Sequence, residues 1–426
     1  MNPSRKFLGS LVVLTSLFFM WGLITSLNDI LVPHLKAAFV LDYKRAALIQ
    51  FCFFFAYFVV SLPSGYLVER GGYKRGIIIG LATAAAGCLL FYPAAGSRSY
   101  PLFLFALFVL ASGITLLQVA ANPYVTILGR PETASSRLTL TQAFNSLGTT
   151  IGPFLGALFI LGADSSPSGG SAARLAASDP RAVQIPYLVL AGVLFLIALI
   201  VTLSRLPGQR ELQGTRAIET AAPSSPGAGA PRRRIWSYRH LTLGAIGIFV
   251  YVGAEVGIGS FLVSVLGQRQ VAALPASIAG KYLSLYWGGA MIGRFVGSGL
   301  MLRVRPAKVL ATNAAIVALL VALAVLRAGH TAMWALLAVG LFNSIMFPTI
   351  FSLALDGLGE QTGEGSGILC MAIVGGAVLP ELQGWLADSI GILHSFLLPL
   401  SCYLYIAFYG LRGYRPAPQA VRYSRG

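Results

Sequence analysis

Asp29, Glu255, Arg294 and Glu381 are ionisable residues set inside stretches otherwise apolar enough to lie in lipid. Moving a charge into hydrocarbon costs at least about 2.5–3.5 kcal/mol, so each of them calls for a reason. A carboxylate held away from water favours its neutral form, the behaviour of a group that takes up and gives off a proton. Asp29 has Trp21, Thr25, Asn28 and Val32 at helical spacing on or beside its face, a polar stripe in an apolar helix. It reads as a proton carrier or as a structural carboxylate bonded to Asn28 or a neighbouring helix. Glu255 stands in YVGAEVGIGS, one turn after Tyr251, among glycines that permit close helix packing. Its readings are a second titrating group, a hydrogen-bonding partner for a ligand, or a polar anchor between helices. Arg294, in GRFVGS, either neutralises one of these carboxylates or acts as a structural latch. Glu381 follows Pro380, and the sequence assigns it no role.

The amides add a second chemistry. Gln118 and Asn122 are four residues apart and Gln142 and Asn145 three apart, so each pair shares a helix face. Asn28 and Asn343 join them from other apolar runs. An amide offers donors and an acceptor from one side chain, and Trp21, Tyr57, Tyr251, Tyr286 and Trp287 supply flat apolar faces. Such a set suits a small polyhydroxylated molecule. Any one amide or ring also reads as ordinary helix packing, and the cluster carries the argument. No HExxH, P-loop or Ser-His-Asp pattern is present, and His34, His240, His330 and His394 fall near helix ends. Cys52, Cys88, Cys370 and Cys402 sit inside apolar runs without metal spacing, reading as small core residues. No enzyme activity, cofactor, metal or disulfide is expected.

The elements that must position these groups follow from composition. Hydrophobic residues make up 56% of the 426 and charged residues 11%, with a mean hydropathy of +0.76. A soluble domain carries about 25% charged residues, so the chain reads as an integral membrane protein. Apolar runs lie near 8–35, 44–68, 76–96, 100–128, 138–163, 184–204, 240–267, 280–302, 308–327, 330–355, 365–387 and 391–411. Twelve helices of about 20 residues are the expected spans. The first run is too long, and too polar at Asn28 and Asp29, for a cleaved signal sequence. Most of the 31 Lys and Arg residues fall on one set of alternate loops. Positive loops stay in the cytoplasm, which puts both termini inside. The net charge of +17, including Arg232-Arg233-Arg234, is then a topology signal facing anionic lipid, and no nucleic-acid partner is expected.

Residues 205–239, with AAPSSPGAGAPRRR, form a flexible polar linker between a first unit at 1–204 and a second at 240–426. The units echo each other: SGYLVERGGYKR (64–75) is matched by GSGLMLRVRPAK (297–308), and ANPYVTILG (121–129) by MFPTIFSLA (346–354). A duplicated six-helix unit with a polar centre is the build of many secondary transporters, which bind between the repeats near the midplane.

GYLVERGGYKR resembles the signature after helix 2 of the major facilitator superfamily, with Glu69 where an Asp is more usual. The stretches FFMWGLITSLNDILVPHLK (18–36), LQVAANPYVTILG (117–129), RLTLTQAFNSLGTTIGP (137–153), YVGAEVGIGSFL (251–262) and YWGGAMIGRFVGS (286–298) are more specific. They resemble the fucose–glucose–galactose proton symporter branch, over nearly the whole chain apart from the linker and the 163–184 loop. The resemblance implies an all-α membrane protein of twelve transmembrane helices in two six-helix pseudo-symmetric bundles, the major facilitator fold. It implies import of a hexose with a proton across a bacterial inner membrane, by a carrier expected to be a monomer. It makes Asp29, in the NDI motif, the proton carrier and Gln142, in QAFN, a sugar contact. Asn28, Gln118, Asn122, Asn145, Tyr251, Glu255, Trp287 and Asn343 are the further substrate candidates. It gives Glu69, Arg70, Lys74 and Arg75 the part of a conformational latch, with Arg294 as a further latch candidate. Gln118 departs from the pattern, because the family has a glutamate there that works with the helix 1 aspartate. Asp29 then acts alone, Glu255 takes the second role, or the carrier is a passive uniporter. GTTIGPFLG (148–156) resembles an antiporter signature, which leaves a drug or metabolite exporter as another reading; a sensor derived from a carrier also fits the sequence.

Overall fold

The computed structural model describes residues 3–39, 43–160, 180–204, 234–327 and 329–416; the side chains of 3–8, 27–38, 43–47, 153–160, 180, 182 and 276–277 lie outside that description. The described chain is helical: α1 (Pro3–Ala38), α2 (Tyr43–Gly71), α3 (Tyr73–Gly96), α4 (Tyr100–Ile127), α5 (Ala134–Ile160), α6 (Gln184–Leu203), α7 (Arg239–Leu266), α8 (Ala276–Leu300) and α9 (Pro306–Leu326). The next two are each in two pieces: α10a (His330–Asn343) with α10b (Met346–Ala354), and α11a (Thr362–Met371) with α11b (Gly375–Ile390), followed by α12 (Leu397–Phe408). Of the linker expected at 205–239, residues 205–233 lie outside the described set, and 235–237 make a single 3-10 turn.

Packing follows the repeat. In the first bundle α1 packs on α5, α2 on α4, and α3 on α4 and α6; in the second, α7 packs on α11b, α8 on α10a, and α9 on α10a and α12. Small residues set these distances. A Cβ on Gly148 would stand 2.2 Å from Phe19 O, and one on Gly22 2.0 Å from Asn145 O. The backbones of α1 and α5 therefore touch. The same device recurs between α7 and α11b, where a Cβ on Gly375 would meet Phe249 O at 2.1 Å. Between α2 and α3, Gly72 has φ +83°, a left-handed backbone that any side chain would strain.

Among the described residues, ten helices are long and apolar enough to cross a membrane. Two helices outside that set, α5 and α8, carry Gln142, Asn145, Ser146 and Arg294, because they line the seam between the bundles. The connections after α2, α4, α8 and α10b converge at one end with Arg70, Arg130, Arg303 and Arg305, and we call it the basic end.

The sequence reads as continuous apolar runs at the tenth and eleventh helices, and the structure breaks both. At the first break, three successive carbonyls take side-chain donors. Asn313 Nδ2 donates to Phe342 O (3.3 Å), Tyr251 Oη to Asn343 O (3.1 Å) and Arg294 Nε to Ser344 O (3.1 Å). Pro348 lacks the amide that would otherwise bond Ser344 O, so Arg294 fills its place. In α4, Pro123 likewise leaves Val119 O free, and Ser366 Oγ of α11a donates to it at 2.8 Å. A buried carbonyl without a partner costs about 1–3 kcal/mol, which is why polar side chains are held at these points.

Candidate functional site

A chamber of about 140 Å³ lies where the two bundles meet. Trp21 of α1, Gln118 of α4 and Gln142 of α5 form one wall; Val252 and Glu255 of α7, Arg294 of α8, Phe347 and Pro348 of α10b, and Ile373 form the other. It is smaller than the roughly 300–1,000 Å³ of drug-sized pockets, which suits a small ligand.

Most of the polar members are held by their neighbours. Gln118 Nε2 donates to Tyr57 Oη in a short hydrogen bond, which leaves its carbonyl oxygen for a ligand. Among the described residues, the Gln142 amide has no protein partner. Arg294 Nη2 lies 3.9 Å from Glu255 Oε1, with the two side chains 15% and 14% exposed. Arg294 Nη1 also donates to Ser146 Oγ across the bundle interface. One guanidinium thus joins a carboxylate of its own bundle, a hydroxyl of the other and the broken end of α10a. It stands in the chamber and not at the basic end.

Other expected site residues stand elsewhere. Asn145 Nδ2 donates to Phe18 O (2.9 Å), tying α5 to α1. Asn122 is fully buried one turn beyond Gln118, neither amide atom has a partner among the described residues, and it does not line the chamber. Asn343 Nδ2 donates to Tyr286 Oη (3.1 Å), and Tyr251 is fully buried against the α10 break. Trp287 is 42% exposed and packs edge-on against Tyr286. Glu381 is exposed on α11b and does not line the chamber. The side chains of Asn28 and Asp29 lie outside the description.

Below the chamber the bundles are sealed at the basic end. Ser135 Oγ and Ser352 Oγ are 2.6 Å apart, and Ser136 Oγ donates to Ser298 O at 2.6 Å. Along α2 and α11a the contact is backbone on backbone: a Cβ on Gly65 would lie 2.9 Å from Gly363 O, and one on Gly367 2.7 Å from Ser61 O. Glu69 sits at this seam, its amide 3.1 Å from where a Cβ on Gly363 would be. The other charges of the motif face elsewhere. Lys74 Nζ donates to Thr202 O and Ser204 O (2.8 Å each), closing the end of α6; Arg70 lies over the Tyr66 ring, and Arg75 is exposed. Ser135–Ser352, Ser136–Ser298, Ser366–Val119 and Arg294–Ser146 join the bundles at the chamber or on its basic side, and Thr150 Oγ1 lies 3.7 Å from Met291 Sδ.

The missed wall residues, Val252, Phe347, Pro348 and Ile373, are apolar, so nothing in their type marks them. Pro348 had one signal, its match to Pro123 in the other half. The seam serines had none.

A family model described as Major Facilitator Superfamily matches residues 11–380. The chain belongs to the major facilitator superfamily. Within that superfamily it is 57% identical over 413 residues to a glucose/galactose transporter of Brucella abortus, covering 97% of this chain and 96% of the relative. It is 34% identical to the L-fucose-proton symporter of Escherichia coli, covering 95% and 93%. The solved structure of the superfamily transporter FucP in the outward conformation superposes with a TM-score of 0.82 at 34% identity, covering 96% of this chain and 99% of that one. The major facilitator fold also accounts for the glycines of GTTIGPFLG. Gly148 and Gly152 stand where a Cβ would strike Phe19 O and Ser26 Oγ, so close packing of α1 on α5 requires them without an antiport role.

Proposed function

We propose that this protein imports a hexose of the glucose or galactose type together with a proton, by alternating access of its two halves, 1–204 and 240–426. The observation that carries the reading is the chamber itself, walled from both halves by Gln118, Gln142, Glu255, Arg294 and Trp21. Two amides and an ion pair offer donors and acceptors to sugar hydroxyls, and the Trp21 ring offers a flat face to the C–H side of a pyranose. The names of the relatives support the substrate class.

In this scheme Asp29 takes up the proton, and sugar binds among Asn28, Gln118 and Gln142, with Asn122, Asn145, Tyr251, Trp287 and Asn343 supporting the walls. Glu255, paired with Arg294, is the second ionisable group of the coupling. The seal at the basic end, with Glu69 at its centre, holds the outward-facing form; Arg70, Lys74 and Arg75 support that end. The basic end faces the cytoplasm, both termini lie there, and the carrier sits in a bacterial inner membrane as a monomer.

The test is uptake into proteoliposomes with a pH dye inside. Glucose or galactose entry with internal acidification, driven uphill by an inward proton gradient, is the expected result. A second reading rests on Gln118, which cannot titrate: sugar entry that equilibrates, with no acidification, makes the protein a uniporter and removes the proton from the scheme.

A further inference from the structure

A second cleft lies far from the chamber, at the basic end of the second bundle. It measures about 870 Å³ between the start of α7 and the end of α12. Arg239, Arg412 and Arg415 line it, together with the apolar side chains of Phe408 and Leu411.

Several other basic residues at this end are engaged by the protein: Lys74 on the α6 carbonyls, Arg70 on Tyr66, and Arg130 with Glu132 at 3.5 Å. The three cleft arginines are all exposed, and among the described residues none has an ion-pair or hydrogen-bond partner. Among the described residues no carboxylate lines the cleft; Asp356, nearby in the fold, meets His240 Nε2 through its main-chain carbonyl at 2.8 Å. The floor is fixed, because Tyr409 Oη donates to His240 O (3.2 Å) and Tyr405 Oη to Leu243 O (2.9 Å), binding α12 to α7. The guanidiniums therefore converge from helices about 170 residues apart in the chain onto one held surface. Beside them Phe408 is 40% and Leu411 61% exposed, on the flank of a membrane-spanning helix.

Three cations next to exposed apolar side chains at a membrane boundary match a ligand with an anionic head and an apolar body. Guanidinium presents paired donors to a phosphate, and basic pockets between helices near the membrane surface suit anionic lipid heads. A free phosphate would leave Phe408 and Leu411 unexplained. We propose that this cleft binds the headgroup of an anionic glycerophospholipid, with Arg239, Arg412 and Arg415 on the phosphate and Phe408 and Leu411 against the acyl chains.

Native mass spectrometry of the full-length, delipidated protein tests the assignment, with phosphatidylglycerol, phosphatidylcholine and inorganic phosphate as probes. Wild type should bind phosphatidylglycerol in clear preference to phosphatidylcholine, and millimolar inorganic phosphate should not displace it. R239Q/R412Q/R415Q should bind phosphatidylglycerol about a hundredfold more weakly, at roughly fivefold per charge. R239K/R412K/R415K, which keeps the charges, should retain most of the preference. Equal binding of the two lipids by wild type, undiminished phosphatidylglycerol binding by the Gln variant, or displacement by inorganic phosphate alone each overturns the proposal. If the triple Gln variant fails to fold, R412Q and R415Q decide the matter singly: each should weaken phosphatidylglycerol binding about fivefold, and undiminished binding by both overturns the proposal.

Discussion

Ser366 Oγ of α11a donates a 2.8 Å hydrogen bond to Val119 O of α4, the carbonyl that Pro123 leaves without an amide partner. A helix defect in one bundle is thus satisfied by a hydroxyl of the other. In the proposed alternating-access cycle, opening the basic end would break this bond, which would then contribute to the free-energy difference between conformations as well as to the fold. With Ser135–Ser352 and Ser136–Ser298 it makes a seam of neutral hydrogen bonds, each worth about 0.5–1.5 kcal/mol net. A few such bonds bias a two-state carrier without locking it.

Ser366→Ala should weaken the sealed form by about 1–3 kcal/mol, because Val119 O is then buried and unpaired. In a Pro123→Ala background the same change should cost little, since the backbone N–H restored by that substitution can bond Val119 O within the helix. Cysteine accessibility from the basic end reads the equilibrium in all four proteins. Strictly additive effects would show that proline and serine are not coupled.

Arg294→Gln should lower stability by about 3 kcal/mol by leaving Glu255 and Ser344 O without their partner, and Glu255→Gln in the same protein should recover the part due to Glu255. Thermal unfolding in detergent measures this. Transport should not return in the double variant, because the pair is proposed to act in coupling. Full uphill uptake by the double variant would remove Glu255 from the mechanism.

Gly148→Ala drives a methyl to within 2.2 Å of Phe19 O, so α1 and α5 must separate. The expected result is a loss of about 1–3 kcal/mol or failure to fold, as for overpacked cores. A variant with wild-type stability and altered ion coupling would instead favour the antiporter reading of this motif.

Asp29→Asn should abolish proton-driven accumulation while leaving sugar exchange down its gradient. Gln118→Glu should add a titrating step to the pH profile of uptake. Both are read in proteoliposomes over a range of external pH, and unchanged accumulation in Asp29→Asn sinks the coupling scheme.

Much of the architecture was legible in the sequence, because apolar runs of bilayer length and matched motifs are strong, local signals. Four of the ionisable and amide residues singled out in the sequence, Gln118, Gln142, Glu255 and Arg294, meet in one chamber. What could not be read was which polar groups line the chamber and which are engaged within and between the helices. Asn145 and Asn343 carry the same amide as Gln142, and Tyr251 is a hydrogen-bonding ring, yet all three are committed to backbone or tyrosine partners. That division depends on side-chain direction and on neighbours far away in the chain. The breaks in α10 and α11 were invisible for a related reason. Tertiary donors such as Tyr251, Asn313 and Arg294 make an interrupted ladder tolerable, and hydropathy does not register them.

Those breaks fall in one copy of the repeat alone. Among the described residues α4 and α5 run unbroken, whereas their counterparts α10 and α11 are jointed at Ser344–Ile345 and at Ala372–Val374, beside the chamber. A duplicated gene has therefore yielded two mechanically unequal arms: a stiff strut and an articulated one. The sugar would meet a fixed template on one side and a compliant jaw on the other, so local closure around a ligand would be concentrated in the second arm.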